Sequence, residues 1–220
     1  MFSKLTKLFQ ANPASSEFAE SAEARLKAMI DALGEPCHID RDAGPSHAID
    51  IYVFERNFVE ECDTEAKDDE GYILVTSGMS DHLMTLPEDY EDESPAVELI
   101  WYVRELNAEY FANLRWLAKL PAIDKTWFGM GHTVPMPAPP LSFCPFSTFL
   151  FLPPIIRTDR ELLEDIDSQG HSVEMLAVHV ISSQEYALIK TDDGLGQFLD
   201  LLDDNDYPLI FDPSRLSIVE

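Results

Sequence analysis

Ile49-Asp-Ile-Tyr-Val-Phe54, Tyr72-Ile-Leu-Val-Thr76 and Val97-Glu-Leu-Ile-Trp-Tyr-Val103 follow one another with no helical pattern between them. In the first run Ile49, Ile51 and Val53 alternate with Asp50, Tyr52 and Phe54; in the third, Val97, Leu99, Trp101 and Val103 share one face. Period-2 patterning in β-branched and aromatic residues marks strands, and strands without intervening helices argue for an antiparallel meander. The connections fit. Glu60 to Glu70, with Asp68, Asp69 and Glu70, is acidic and reads as an exposed hairpin connection; Pro87 to Pro95, with Glu88, Asp89, Glu91, Asp92 and Glu93, reads as a solvated loop.

Working outward, Phe18, Ala22, Leu26, Met29, Ile30 and Leu33 recur at helical spacing. Ser15 or Ser16 caps that helix and Gly34 with Pro36 stops it, so it spans about Ser16 to Leu33. Downstream of the meander a second helix is capped by Asn107, lined by Tyr110, Phe111, Leu114, Leu117 and Ala118, and ended by Pro121. From Thr133 to Pro154 prolines interleave with Phe143, Phe146, Phe149 and Phe151. A linker of that length would be polar, so this aromatic segment is expected to cross the body and pack on it, with Phe149-Leu-Phe-Leu152 as a strand. Val173 to Ile181 is nearly all apolar, as in a strand covered on both faces, and Leu195, Phe198, Leu199 and Leu202 mark a last helix. Long βαβ alternation is missing. The fold class is therefore α+β, with a central mixed, largely antiparallel sheet flanked by helices. Residues 1–15 form an amphipathic extension (Phe2, Leu5, Leu8 and Phe9 beside Lys4 and Lys7) to a single domain at 16–220.

Composition narrows the partners. The 220 residues include 41 Asp and Glu against 15 Lys and Arg, a net charge of −26, while 45% are hydrophobic, enough for a real core. Such a surface repels phosphate backbones and anionic membranes, which argues against nucleic-acid and membrane partners, and steers a protein with a basic face. Solubility alone is the plainer use of the same charge. Cys37, Cys62 and Cys144 are odd in number and form no C-x-x-C pair, and no apolar run approaches the roughly 20 residues of a bilayer span. A cytoplasmic location follows as the default.

Chemistry is hard to find. The histidines at 38, 47, 82, 132, 171 and 179 form no H-x-H or H-E-x-x-H, and Ser80-Asp-His82 cannot be a triad because a residue does not orient its sequence neighbour with that geometry. Gly129-Met-Gly131 lacks the third glycine and following helix of a nucleotide loop; its glycines suit a turn beside Trp127. No catalytic residue, metal or cofactor is assigned. The competing enzymatic reading is a metal-dependent hydrolase using Asp81, His82 and His132, and a ligand pocket beneath Pro135–Phe151 is a third.

The residues left over carry the strongest signal. Val75-Thr-Ser-Gly-Met-Ser-Asp81, Glu98-Leu-Ile-Trp-Tyr102, Leu114-Arg-Trp-Leu-Ala118 and Thr126-Trp-Phe-Gly-Met-Gly-His-Thr-Val-Pro135 stand in that order, followed by Phe149-Leu-Phe-Leu-Pro153 and Val173–Ile181. In order and spacing, from about Leu26 onward, the chain resembles the suppressor-of-fused domain family. The resemblance implies an α+β fold with a helix-flanked sheet and no catalytic residues to carry over. It also implies protein binding: larger animal relatives add a short peptide of Gli-type transcription factors as a strand between two subdomains, of which this chain resembles the first. Bacterial single-domain members resemble immunity proteins that neutralise toxins. Two candidate contact regions emerge from the residues themselves. One is a shelf of Gly78, Met79, His82, Trp127, Phe128, Met130 and His132, with core packing as its plainer use; the other is an acidic steering rim of Asp68–Glu70 and Glu88–Glu93. The oligomeric state is not legible.

Overall fold

The computed structural model describes residues 13–44, 47–58, 70–90, 93–205 and 208–219, with backbone alone at 13–17. Residues 1–12 of the expected 1–15 extension, most of the acidic connection including Asp68 and Asp69, and Glu91 and Asp92 lie outside the described residues.

Helix α1 (Pro13–Leu33) leads into strands β1 (His38–Asp40), β2 (Asp50–Asn57), β3 (Glu70–Ser77) and β4 (Val97–Val103). Helix α2 (Ala108–Asp124), β5 (Thr133–Pro135), β6 (Thr148–Leu152) and the short α3 (Arg157–Arg160) follow. A small hairpin, β7 (Asp167–Ser168) and β8 (His171–Ser172), precedes β9 (Glu174–Ile181), α4 (Ser183–Ile189) and α5 (Gly194–Asp204). The seven-stranded sheet runs β1-β2-β3-β4-β9-β6-β5, in which β4 and β9 pair in parallel and the other neighbouring strands pair antiparallel. The α+β architecture and the meander expected from the patterning are therefore present.

Alternation along the strands sends two sets of side chains to two cores. Ile49, Ile51, Val53, Leu99 and Trp101 join Tyr110, Leu114 and Leu117 of α2 with Phe146, Phe149 and Phe151. Tyr52, Phe54, Ile73 and Ile100 pack instead with Met29 of α1 and with Leu162 and Leu163. Leu150, Leu152 and Ile181 meet Phe198 of α5 in a third group. Each fully buried large side chain contributes about 1.5–3 kcal/mol, so the layers on both faces rather than strand propensity hold the sheet.

Three expectations are corrected. α1 begins at Pro13, ahead of Ser16. Glu70 belongs to β3 and pairs with Asn57, not to the connection. Pro121 does not end α2: it is buried within the helix, which continues to Asp124. The helix stops where Lys125 enters the left-handed region (φ 52) and donates its N–H to the Pro121 carbonyl. β1 and β5 were not legible, being three residues each and polar or proline-containing. Asn107 caps α2 as expected, its Oδ1 accepting from Glu109 N at 2.8 Å. The proline-aromatic segment packs on the body, with Leu141, Cys144 and Phe146 buried where the ligand pocket was considered.

Candidate functional site

The run Thr76-Ser-Gly-Met-Ser-Asp81 continues from β3 and folds around one carboxylate. Glu98 is the second residue of the otherwise apolar β4 and is 0% exposed. It accepts from Thr76 Oγ1 (2.6 Å), Gly78 N (2.8 Å), Ser80 N (3.1 Å) and Ser80 Oγ (2.7 Å). Arg25, also 0% exposed, reaches in from α1 with its Nε 3.7 Å from Glu98. It donates to Ser77 Oγ (2.9 Å) and grips both oxygens of Asp81 (2.7 and 2.9 Å). Burial works against the Arg25 charge, but Glu98 and Asp81 outweigh it and hold its pKa above the ordinary value. Gly78 has φ +123 with its α-carbon hard against the Ala48 carbonyl, where an added Cβ would sit 2.3 Å from that oxygen. The motif is thus a closed polar bracket between α1 and the sheet.

Two further buried carboxylates are held the same way. Asp159 accepts two bonds from Arg56 (2.7 and 2.9 Å) and one from the Tyr102 hydroxyl (2.8 Å). Glu185, in the capping box of α4, takes both Nη1 and Nη2 of Arg215 (2.6 and 2.8 Å) and the Ile218 N–H, tying the end of the chain to α4. Burial pushes the Glu185 pKa up and Arg215 more than reverses it, leaving it below the ordinary value.

The expected shelf divides. Met79 (3% exposed) and Phe128 (4%) are core residues, with Phe128 stacked on Phe151 at 4.3 Å and its N–H meeting the Met84 sulfur at 3.2 Å. Gly78 is sealed in the bracket. His82 faces other neighbours, the rings of His47 (4.0 Å) and Phe18 (5.6 Å). Burial first, then His47, lowers its pKa, with Asp81 opposing. Only Trp127, Met130 and His132 remain open: Trp127 and His132 lie 4.1 Å apart, half-buried, and Met130 is 49% exposed. Gly131 (φ 78) makes their turn, as expected, whereas Gly129 sits against the Trp127 ring.

The hydrolase set is not assembled. Asp81 is committed to Arg25, the His132 Nδ1 lies 3.2 Å from the Trp127 carbonyl, and among the described residues no three His, Cys, Asp or Glu side chains gather to hold a metal. Nor is the acidic rim continuous. Register puts Glu70 at the Val103 end of β4, whereas Glu88, Asp89 and Glu93 precede its Val97 end. Sequence reasoning passed over Arg25, Glu98 and Tyr90. The first two carried a signal: an arginine four positions before Met29 on the apolar stripe of α1, and a lone carboxylate amid Val97–Val103. Tyr90, whose ring lies 4.6 Å from Trp127, carried none, since it stands inside an acidic loop.

A sheet of this order, with a glycine bracket sealed by a buried Glu and Arg, defines a helix-flanked α+β scaffold with an open aromatic turn. The profile of the suppressor of fused protein family matches residues 45–216, and the chain belongs to that family. No curated protein matches it. Among solved structures it is similar to a suppressor of fused homologue from Neisseria gonorrhoeae, at 16% identity and TM-score 0.65, covering 92% of this chain and 98% of that one. It is also similar to a chain of the Sufu–Fu complex, at 15% identity and TM-score 0.61, over 90% of this chain and 92% of that one. Suppressor of fused from Drosophila gives 15% identity and a TM-score of 0.50, over 77% of this chain and 42% of that one.

Proposed function

We propose that this chain is a non-catalytic protein-binding domain, of the kind an immunity protein uses to neutralise a toxin or another partner with a basic face. The observation that carries the proposal is the fate of the family motif. Its hydroxyls, carboxylates and arginine are consumed in bonds to one another, so they brace the scaffold and present no activated nucleophile or base. Family membership and the likeness to a chain of the Sufu–Fu complex support association with protein. The net charge of −26 favours a basic partner. Trp127, Met130 and His132 are the shelf residues offered for contact, with the acidic residues Glu88, Asp89 and Glu93 steering; a cytoplasmic site of action is part of the proposal. Among the described residues no helix is long and apolar enough to cross a membrane.

Affinity purification from the native cells tests it. A stoichiometric protein partner released by moderate salt, and weakened by Trp127→Ala, is expected. No partner, or one indifferent to both salt and Trp127, sinks the proposal. Encoding of the partner by a neighbouring toxin gene would single out the immunity role.

A further inference from the structure

The turn bearing Trp127, Met130 and His132 is wedged between two acidic elements. On one side the Glu88–Tyr90 turn brings the Tyr90 ring to 4.6 Å from Trp127, and Tyr90 is 45% exposed. On the other, Gly131 lies against Leu195 in the first turn of α5, directly after the exposed Asp192 and Asp193. The cations on these stretches are Lys125 and Lys190, the latter folded over the Tyr186 ring. The exposed aromatic and thioether surface is therefore flanked on both sides by carboxylates in excess of cations.

We propose that this surface docks an arginine-bearing segment of a protein partner, with the guanidinium laid on the Tyr90–Trp127 pair and hydrogen-bonded to the flanking carboxylates. Arginine fits better than lysine. Its guanidinium is planar, weakly hydrated and able to stack on a ring while pairing with carboxylates in the fork geometry, whereas an ammonium is a strongly hydrated point charge. Met130 supplies adaptable apolar contact beside the rings. A second copy of this chain is the wrong occupant, because two bodies each carrying −26 repel. The inference rests on the protein-binding proposal and adds to it the surface and the side chain recognised.

A short synthetic peptide of alternating Arg and Leu, with lysine and citrulline counterparts, tests the assignment by amide and indole NMR on the full chain. The arginine peptide is expected to shift the signals of Tyr90, Trp127, Met130 and Asp193, the lysine peptide to bind several-fold more weakly, and the citrulline peptide to leave them unmoved. Tyr90→Ala, at an exposed position with the spectrum otherwise preserved, is expected to weaken arginine-peptide binding about tenfold. Unmoved signals at these residues, equal binding of the lysine peptide, or binding that survives Tyr90→Ala overturns the inference. A native partner that binds the chain but maps to another face overturns it too, while leaving the protein-binding proposal standing.

Discussion

Two turns of this protein carry the same Gly-Met dipeptide, and they point opposite ways. Ser77-Gly-Met-Ser80 turns inward: Met79 is 3% exposed, and the backbone N–H groups of Gly78 and Ser80 converge on Glu98. Phe128-Gly-Met-Gly131 turns outward, with Met130 at 49% exposure and its backbone tied by turn and strand bonds, such as Gly131 N to the Phe151 carbonyl at 2.8 Å, and by Phe128 N to the uncharged Met84 sulfur. The difference is one buried carboxylate. A charge inside a sheet must collect donors, and the nearest donors belong to the turn, which is drawn in over it. With no such charge beneath it, the second turn is free to display its side chains.

The sharpest break of this contrast is Glu98→Ala. It removes one of the two carboxylates beside buried Arg25, which keeps Asp81, and leaves the buried Gly78 and Ser80 amides without their acceptor, so a loss of about 3–5 kcal/mol in chemical denaturation is expected, with the same change at Glu88 costing under about 0.5 kcal/mol. A destabilisation at Glu98 no larger than at Glu88 would show that the carboxylate does not organise the turn. Next, Met79→Ala should cost about 2–5 kcal/mol and Met130→Ala under about 0.5 kcal/mol, measured side by side in urea. Similar losses at both would erase the inward–outward distinction. Gly78→Ala forces an L side chain to φ +123 and into the Ala48 carbonyl, and is expected to lower stability by about 2–4 kcal/mol, which an unchanged melting temperature would refute.

The smallest effect concerns pH. Burial, with Arg215 nearby, pushes the His179 pKa from 6.5 down to about 4. The fold therefore favours neutral imidazole: the contribution is fully present above pH 6.5 and is lost as pH falls toward 4, where the unfolded chain takes up the proton first. Relative to His179→Gln, the wild type should lose up to about 3 kcal/mol across that window in urea titrations. Parallel curves for the two proteins would place His179 in a more polar setting.

Most of the fold was legible because burial on one or both faces writes itself into the period of the apolar residues. Val97–Val103 and Val173–Ile181 announced central strands in this way, and the meander order followed. What stayed hidden were short edge strands such as His38–Asp40, whose ladder owes more to a neighbour than to their own side chains, and the parallel seam between β4 and β9, which no local pattern encodes. The site was half legible. The motif around Gly78 was correctly singled out as unusual, yet its job depends on Glu98 and Arg25, distant in sequence. Likewise Met79 and Met130 look alike in the chain and are told apart only by what lies behind them.

That parallel seam governs the order in which the molecule can be completed. The β2–β3–β4 meander is built from neighbours in the chain, so it can close early, but the second edge of β4 pairs Val97–Ile100 with Glu174–Ala177. Until the chain has been made to that point, a strand apolar but for Glu98 offers its unpaired backbone to any passing edge. Bodies of like charge repel, so a net charge of −26 opposes such pairing between copies of this chain.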